Sequence, residues 1–147
     1  MQRNPSIQFV DFHKETWPGT GSTSDAHRNV INVEFAQDYT YGDVKAKWDE
    51  LEVDAAIMKF QPNLIIICAG FDAHETDPMR EADGGGAQLT AEDFGTWTSA
   101  IMSLAASLES CHGRIISLLE GGYDTKPRTG GLVRSVEEHL KALAERL

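Results

Sequence analysis

The residues best placed to do chemistry lie in two short polar segments, each directly behind an apolar run. Asp72 and His74 follow the run Leu64–Ala69, and Tyr123 follows Ile115–Leu119 across Gly121 and Gly122. A carboxylate in such a position can ligate a hard or borderline metal ion, which neutralises its charge where water is scarce. It can equally cap a turn by accepting backbone hydrogen bonds. The Tyr123 phenol sits on a loop that two glycines allow to approach a ligand closely. Its hydroxyl can donate to a developing oxyanion, a contact worth ~3 kcal/mol in a transition state, or its ring can simply pack over a sheet edge. Asp11 and His13, two apart on an extended segment, face the same way, which suits either a metal pair or a locally hydrogen-bonded strand end. Trp17 can wall a pocket or lie over the core. Gly84-Gly85-Gly86 lacks the Gly-Lys-Ser/Thr that a phosphate loop requires, and the chain has neither a Gly-x-Ser-x-Gly elbow nor a His-Glu-x-x-His pair.

These residues depend on the elements around them. Ser6–Val10 reads as a first strand ending at Asp11-Phe12-His13, and Val30–Val33 as a second. Behind Asp38, a candidate cap, the residues Val44, Trp48, Leu51, Ala55 and Met58 recur at spacings of four and three, predicting one helix. Pro62 stops it. The isoleucine-rich run Leu64–Ala69 reads as a central parallel strand covered on both faces, followed by an irregular stretch from Phe71 to Gln88. Thr90 and Asp93 form a capping box for a helix expected to bury Phe94, Trp97, Ile101, Leu104 and Leu108. A further buried strand, Ile115–Leu119, precedes a last helix from about Gly131 to Arg146, with Leu132, Val136, Leu140 and Leu143 inward. Alternating strands and helices predict an α/β fold: a three-layer, mostly parallel sheet with helices on both faces and a ligand site beyond the carboxyl ends of the strands.

The 147 residues suffice for one core, so residues 1–147 are taken as a single portion of a domain. Thirteen basic against 23 acidic residues give a net charge of −10, which opposes direct binding to nucleic acid and tolerates a cationic substrate. No apolar run approaches the ~20 residues needed to span a bilayer, so no membrane partner is expected. Two widely separated cysteines, Cys68 and Cys111, make no disulfide framework and suit a reducing intracellular compartment, nucleus or cytoplasm alike.

Three segments in order resemble one family. Gly70-Phe71-Asp72-Ala73-His74 with Asp77-Pro78 looks like the second-aspartate motif of histone deacetylases, in particular the class II and acetylpolyamine amidohydrolase branches. Glu120-Gly121-Gly122-Tyr123-Asp124 is similar to the family's tyrosine loop. His13 followed by Trp17-Pro18-Gly19-Thr20-Gly21 resembles its aromatic-Pro-Gly-Thr-Gly segment. The resemblance covers nearly the whole chain and implies the C-terminal portion of an arginase/deacetylase-like domain. It makes Asp72 a Zn²⁺ ligand and Tyr123 the catalytic donor to the acetamide carbonyl, with Gly121, Gly122 and Trp17 lining the substrate channel. Under it Asp11-x-His13 is a decoy, and Asp11 stands where a serine is usual. The paired-histidine base and the first Asp-x-His zinc ligands of such domains would precede Met1.

The resemblance further implies a hydrolase that removes acetyl groups from an acetylated lysine peptide or an acetylpolyamine when the domain is complete, with the 147 residues inactive alone. The competing expectation is a non-catalytic interaction module. In either case an uncovered sheet edge invites self-association.

Overall fold

The structure, a computed structural model, describes residues 6–14, 24–25, 29–82, 86–127 and 130–145. The elements run β1 (Phe9–Lys14), β2 (Val30–Phe35), α1 (Tyr41–Glu50), α2 (Val53–Phe60), β3 (Ile65–Ala69), a 3-10 turn (Phe71–Ala73), α3 (Pro78–Ala82), α4 (Ala91–Ser107), β4 (Ile115–Leu119) and α5 (Gly131–Ala144). β1 pairs with β2 in parallel, Phe9 opposite Val30 through Lys14 opposite Phe35. β3 pairs with β4 in parallel, Ile65 opposite Ile115 through Ala69 opposite Leu119. The α/β alternation and the parallel pairing are as the sequence predicts. The single three-layer sheet is not: among the described residues there are two separate two-stranded sheets.

A second correction concerns the expected double-sided burial of β3 and β4. One row packs inward, with Ile65 and Ile115 against the buried cluster of Ala105, Leu108 and Cys111. Ala69 joins the cluster of Phe71, Ala87, Leu89 and Phe94, onto which Leu132 and Val136 of α5 also pack. The opposite row stays bare, with Ile66 55%, Ile116 47% and Leu118 47% exposed, and Cys68 beside them. An apolar run marks what a strand can bury, and whether its second face meets a covering layer depends on chain packing that composition does not encode.

The long helix expected from Asp38 onward is two helices. Thr40, rather than Asp38, caps α1: its N–H donates to the Asp43 carboxylate at 2.7 Å, and its hydroxyl accepts from the Asp43 N–H at 3.4 Å. Asp38 instead accepts from Arg80 at 2.9 Å. The chain breaks at Leu51-Glu52, where Glu52 adopts φ +47°. Spacing reports side-chain phase rather than backbone continuity, so the apolar pattern runs straight across a break that no glycine or proline marks.

Thr90 and Asp93 do form the predicted capping box, with the Thr90 N–H donating to Asp93 at 2.8 Å, a cap worth about 1 kcal/mol. The inward faces of α4 and α5 match the expected rows only in part: Phe94 and Leu108 are buried and Leu132 and Val136 pack against the core. The buried residues of α4 are Ala91, Phe94, Thr98, Met102 and Ala105, and those of α5 are Gly131, Ser135, His139 and Ala142, with Leu140 56% exposed. Close approach explains the shift. A methyl placed on Gly95 would lie 3.2 Å from Glu138 Cβ, so small residues hold the contact line and larger ones flank it.

The polar member of that line is satisfied in its neutral form. The Thr98 hydroxyl donates to the Phe94 carbonyl at 2.7 Å, which leaves its oxygen to accept from His139 Nδ1 at 2.7 Å. His139 Nε2 is then an acceptor for the Ser117 hydroxyl at 2.8 Å. Burial lowers the pKa of His139 and, as the leading cause, that of His74. The unfolded imidazoles take protons near the ordinary value of about 6.5 while the folded ones resist, so acid favours the unfolded chain. The urea midpoint is expected to hold steady above pH 7 and to fall between pH 7 and 5.5, more steeply than in His139→Gln. A midpoint that rises on acidification over this window would contradict that assignment.

Candidate active site

The two chemistry-bearing loops leave neighbouring strand ends and are tied together just beyond them. The Glu120 N–H donates to the Ala69 carbonyl at 3.0 Å and the Phe71 N–H to the Gly121 carbonyl at 2.9 Å, which extends the β3–β4 pairing into both loops. Phe71, 1% exposed, anchors the 3-10 turn in the core. The next residue, Asp72, is exposed at the same end. Its carboxylate lies against Gly121: a methyl added there would sit 2.5 Å from Asp72 Cγ and 2.6 and 2.7 Å from its oxygens. Gly122, at φ +131°, occupies a conformation that L side chains rarely adopt, and a methyl on it would meet Leu132 at 2.6 Å. Tyr123 follows, 54% exposed. Asp72, Gly121, Gly122 and Tyr123 are thus gathered at one end of one strand pair.

His74, the other polar candidate after β3, turns into the core and is 3% exposed. Its Nδ1 accepts from the Thr76 N–H at 3.1 Å, and its imidazole lies against Gly131 at the start of α5. Three residues fix this end of the fold: Asp77 and Asp124, which the sequence offered only as motif members, and Tyr39, which it did not single out. The buried Asp124 carboxylate accepts from the Gly131 N–H at 2.9 Å and the Thr76 hydroxyl at 2.7 Å, bonds that hold it below the usual carboxylate range. Asp77, 2% exposed, accepts from the backbone of Tyr123 and Asp124. Tyr39 stacks on Phe35 with ring centroids 4.4 Å apart. Its burial, and next the Asp72 charge, push its phenol up to about 12, so it stays protonated. Asp77 standing before a proline carries the sequence signal of a helix cap, which does not announce its bond to the tyrosine loop.

The Asp11–His13 pair belongs to the other sheet. The His13 imidazole lies 2.8 Å from the Asp11 carboxylate and 3.5 Å from that of Glu34, its direct partner across the β1–β2 register. Trp17 and the Pro-Gly-Thr-Gly stretch after it lie outside the described residues.

Residues 1–143 match the histone deacetylase domain. The chain belongs to the histone deacetylase family. It is 32% identical over 95% of its length to type-2 histone deacetylase 2 of Dictyostelium discoideum, of which it spans 8%. It is 30% identical, again over 95% of its length, to the chloroplastic histone deacetylase 14 of Arabidopsis thaliana, of which it spans 32%. The crystal structure of the HDA15 HD domain superposes on 96% of the chain with a TM-score of 0.75 at 26% identity, and the chain spans 38% of that structure. The arginase/deacetylase fold is therefore shared, over less than half the length of each relative.

Membership of the histone deacetylase family implies a metal cofactor, and its fit can be tested on the donors present. A catalytic zinc takes three protein ligands and an open position. Among the described residues no group of three or more His, Cys, Asp or Glu side chains gathers to hold a metal ion. At the tyrosine-loop end Asp72 offers one suitably placed carboxylate, and His74 is turned away and engaged. The described residues by themselves do not fit a zinc ion.

Proposed function

We propose that this chain supplies the oxyanion donor and one metal-ligating carboxylate of a zinc-dependent deacetylase of the class II or acetylpolyamine amidohydrolase type. The supporting observation is the contact between the Asp72 carboxylate and Gly121, which brings the candidate ligand and the tyrosine loop to one strand-pair end. Zinc, with further donors from outside the described residues, would supply Lewis-acid chemistry. The chain's own part is positional and electrostatic. Gly121 and Gly122 let the loop backbone lie directly against Asp72 and Leu132 and line the substrate channel, with Trp17 as a further channel wall. The exposed Tyr123 hydroxyl donates a hydrogen bond to the oxyanion that forms when the acetamide carbonyl is attacked. An acetylated lysine peptide and an acetylpolyamine both release a cationic amine, and a net charge of −10 suits such substrates.

Acetate release from an acetyl-lysine peptide and from an acetylpolyamine, with and without added zinc, tests this reading. Zinc-dependent release from either by the protein that carries this chain is expected, and none from both would reject it. The 147 residues by themselves are expected to hold no stoichiometric zinc. One tightly bound zinc per chain by elemental analysis would show that the donor set has been misjudged.

One observation favours a second reading, an interaction module: the bare apolar row of Ile66, Ile116 and Leu118 on the β3–β4 sheet. Contiguous exposed apolar surface marks interaction sites, and unpaired strand edges favour self-association. Acetate release separates the two, since the module reading requires a concentration-dependent dimer or a captured partner without it.

A further inference from the structure

We propose that Asp77 is a positioning residue for the deacetylation chemistry, holding the Tyr123 backbone so that the phenol keeps its place relative to Asp72. This rests on the reading of Tyr123 as the oxyanion donor. Asp77 is 2% exposed, and both of its carboxylate oxygens are committed to backbone donors. Oδ1 accepts from the Met79 N–H at 2.9 Å. Oδ2 accepts from the Tyr123 N–H at 2.7 Å and the Asp124 N–H at 3.3 Å.

A simple helix cap accounts for only the first of these bonds. Capping α3 needs one oxygen on one N–H near the start of the helix. The second oxygen reaches across 46 residues of sequence to the tyrosine loop. Asp77 is itself fixed behind the metal-ligand turn, its N–H donating to the His74 carbonyl at 2.9 Å and its carbonyl accepting from Arg80 at 3.1 Å. One buried carboxylate therefore spans the two loops, in addition to the Phe71–Gly121 bond. Charge-assisted bonds of this kind are about twice as strong as neutral ones.

The loop needs such a tie. Residues 121–126 have no regular secondary structure, and Gly122, next to Tyr123, has wide conformational freedom. The other backbone bond to Tyr123 is local, from the Thr125 N–H at 3.0 Å. Three N–H groups converge on Asp77, and an amide cannot replace the carboxylate there. Asn presents one acceptor oxygen, so its NH₂ group would face an N–H on one side.

The test, in the zinc-loaded protein that carries this chain, is a double-mutant cycle on acetyl-lysine peptide turnover with Asp77→Asn, Tyr123→Phe and the pair, together with zinc content. Asp77→Asn is expected to lower kcat by about 10- to 100-fold, in line with the cost of a small misplacement at a reacting centre. KM should stay within about twofold and bound zinc should be unchanged, because the substrate and metal contacts are untouched. In the Tyr123→Phe background the same change should cost less than about threefold, since the phenol it places is gone. Multiplicative losses, or an Asp77→Asn variant with full activity, would overturn the role of Asp77 alone. Full activity of Tyr123→Phe would instead remove the oxyanion reading and this proposal with it. Should Asp77→Asn fail to fold, amide hydrogen exchange of the parent still decides: the Tyr123 amide must exchange far more slowly than the same amide in the unfolded chain, and exchange at the unfolded rate would overturn the proposal.

Discussion

Tyr123→Phe is expected to lower the kcat of acetate release by about 10²- to 10³-fold, the range for loss of a single preorganised oxyanion donor. The substitution removes one hydroxyl and leaves the ring. Because Tyr123 is 54% exposed, little stability is at stake, and the change should stay within about 0.5 kcal/mol. The loop should keep its place, since its position is set by main-chain bonds from Phe71 to Gly121 and from Tyr123 to Asp77 rather than by the phenol. Bound zinc should be unchanged because the hydroxyl is not among its proposed ligands. A fall in kcat with KM nearly constant would mark an interaction made mainly in the transition state. Parent-level turnover in a purified, zinc-replete preparation would remove Tyr123 from this role, and a parallel fall in zinc content would reassign it to metal binding.

Much of this end of the molecule was legible because local chemistry wrote it. The strand–glycine–acid order placed Asp72 behind β3, the paired glycines placed Tyr123 behind β4, and Thr90 with Asp93 announced the start of α4. What the sequence hid depends on contacts between distant segments. His74 read as chemistry beside Asp72, yet the close passage of Gly131 turns its imidazole into a structural acceptor. Of the α5 residues read as inward, Leu132 and Val136 do pack on the core while Leu140 is exposed, and His139 is buried because Thr98 and Ser117, far off in sequence, satisfy both of its ring nitrogens. Asp77 read as part of a motif, while its bond to Tyr123 appears only when residues 46 positions apart meet. The bare row of β3 and β4 was hidden for the same reason, since apolar character is written in a strand and its covering layer is not.

Gly121→Ala is the second substitution with a large expected effect, and it isolates the contact on which the site reading depends. The added methyl would lie 2.5 Å from the Asp72 carboxylate carbon, closer than such atoms approach, so one partner must move. The turn that carries Asp72 cannot readily yield, because Phe71 on one side and His74 on the other are 1% and 3% exposed. The flexible end of the exposed Asp72 side chain is what can shift, so the midpoint of thermal unfolding should fall by only a few degrees. The site should suffer far more. A displacement of about 1 Å at a reacting centre costs on the order of 10²-fold in rate, and a metal-ligating carboxylate turned aside should weaken zinc binding by at least about 10-fold. Gly122→Ala gives the contrasting case. At φ +131°, and with Leu132 at 2.6 Å from the new methyl, it should destabilise the fold itself by about 1–3 kcal/mol through backbone strain and overpacking. Loss of zinc and turnover with a nearly intact fold in the first variant, and loss of the fold in the second, is the pattern expected if Asp72 serves the metal. A Gly121→Ala protein that keeps full activity would mean that the carboxylate pressed against residue 121 has no part in catalysis.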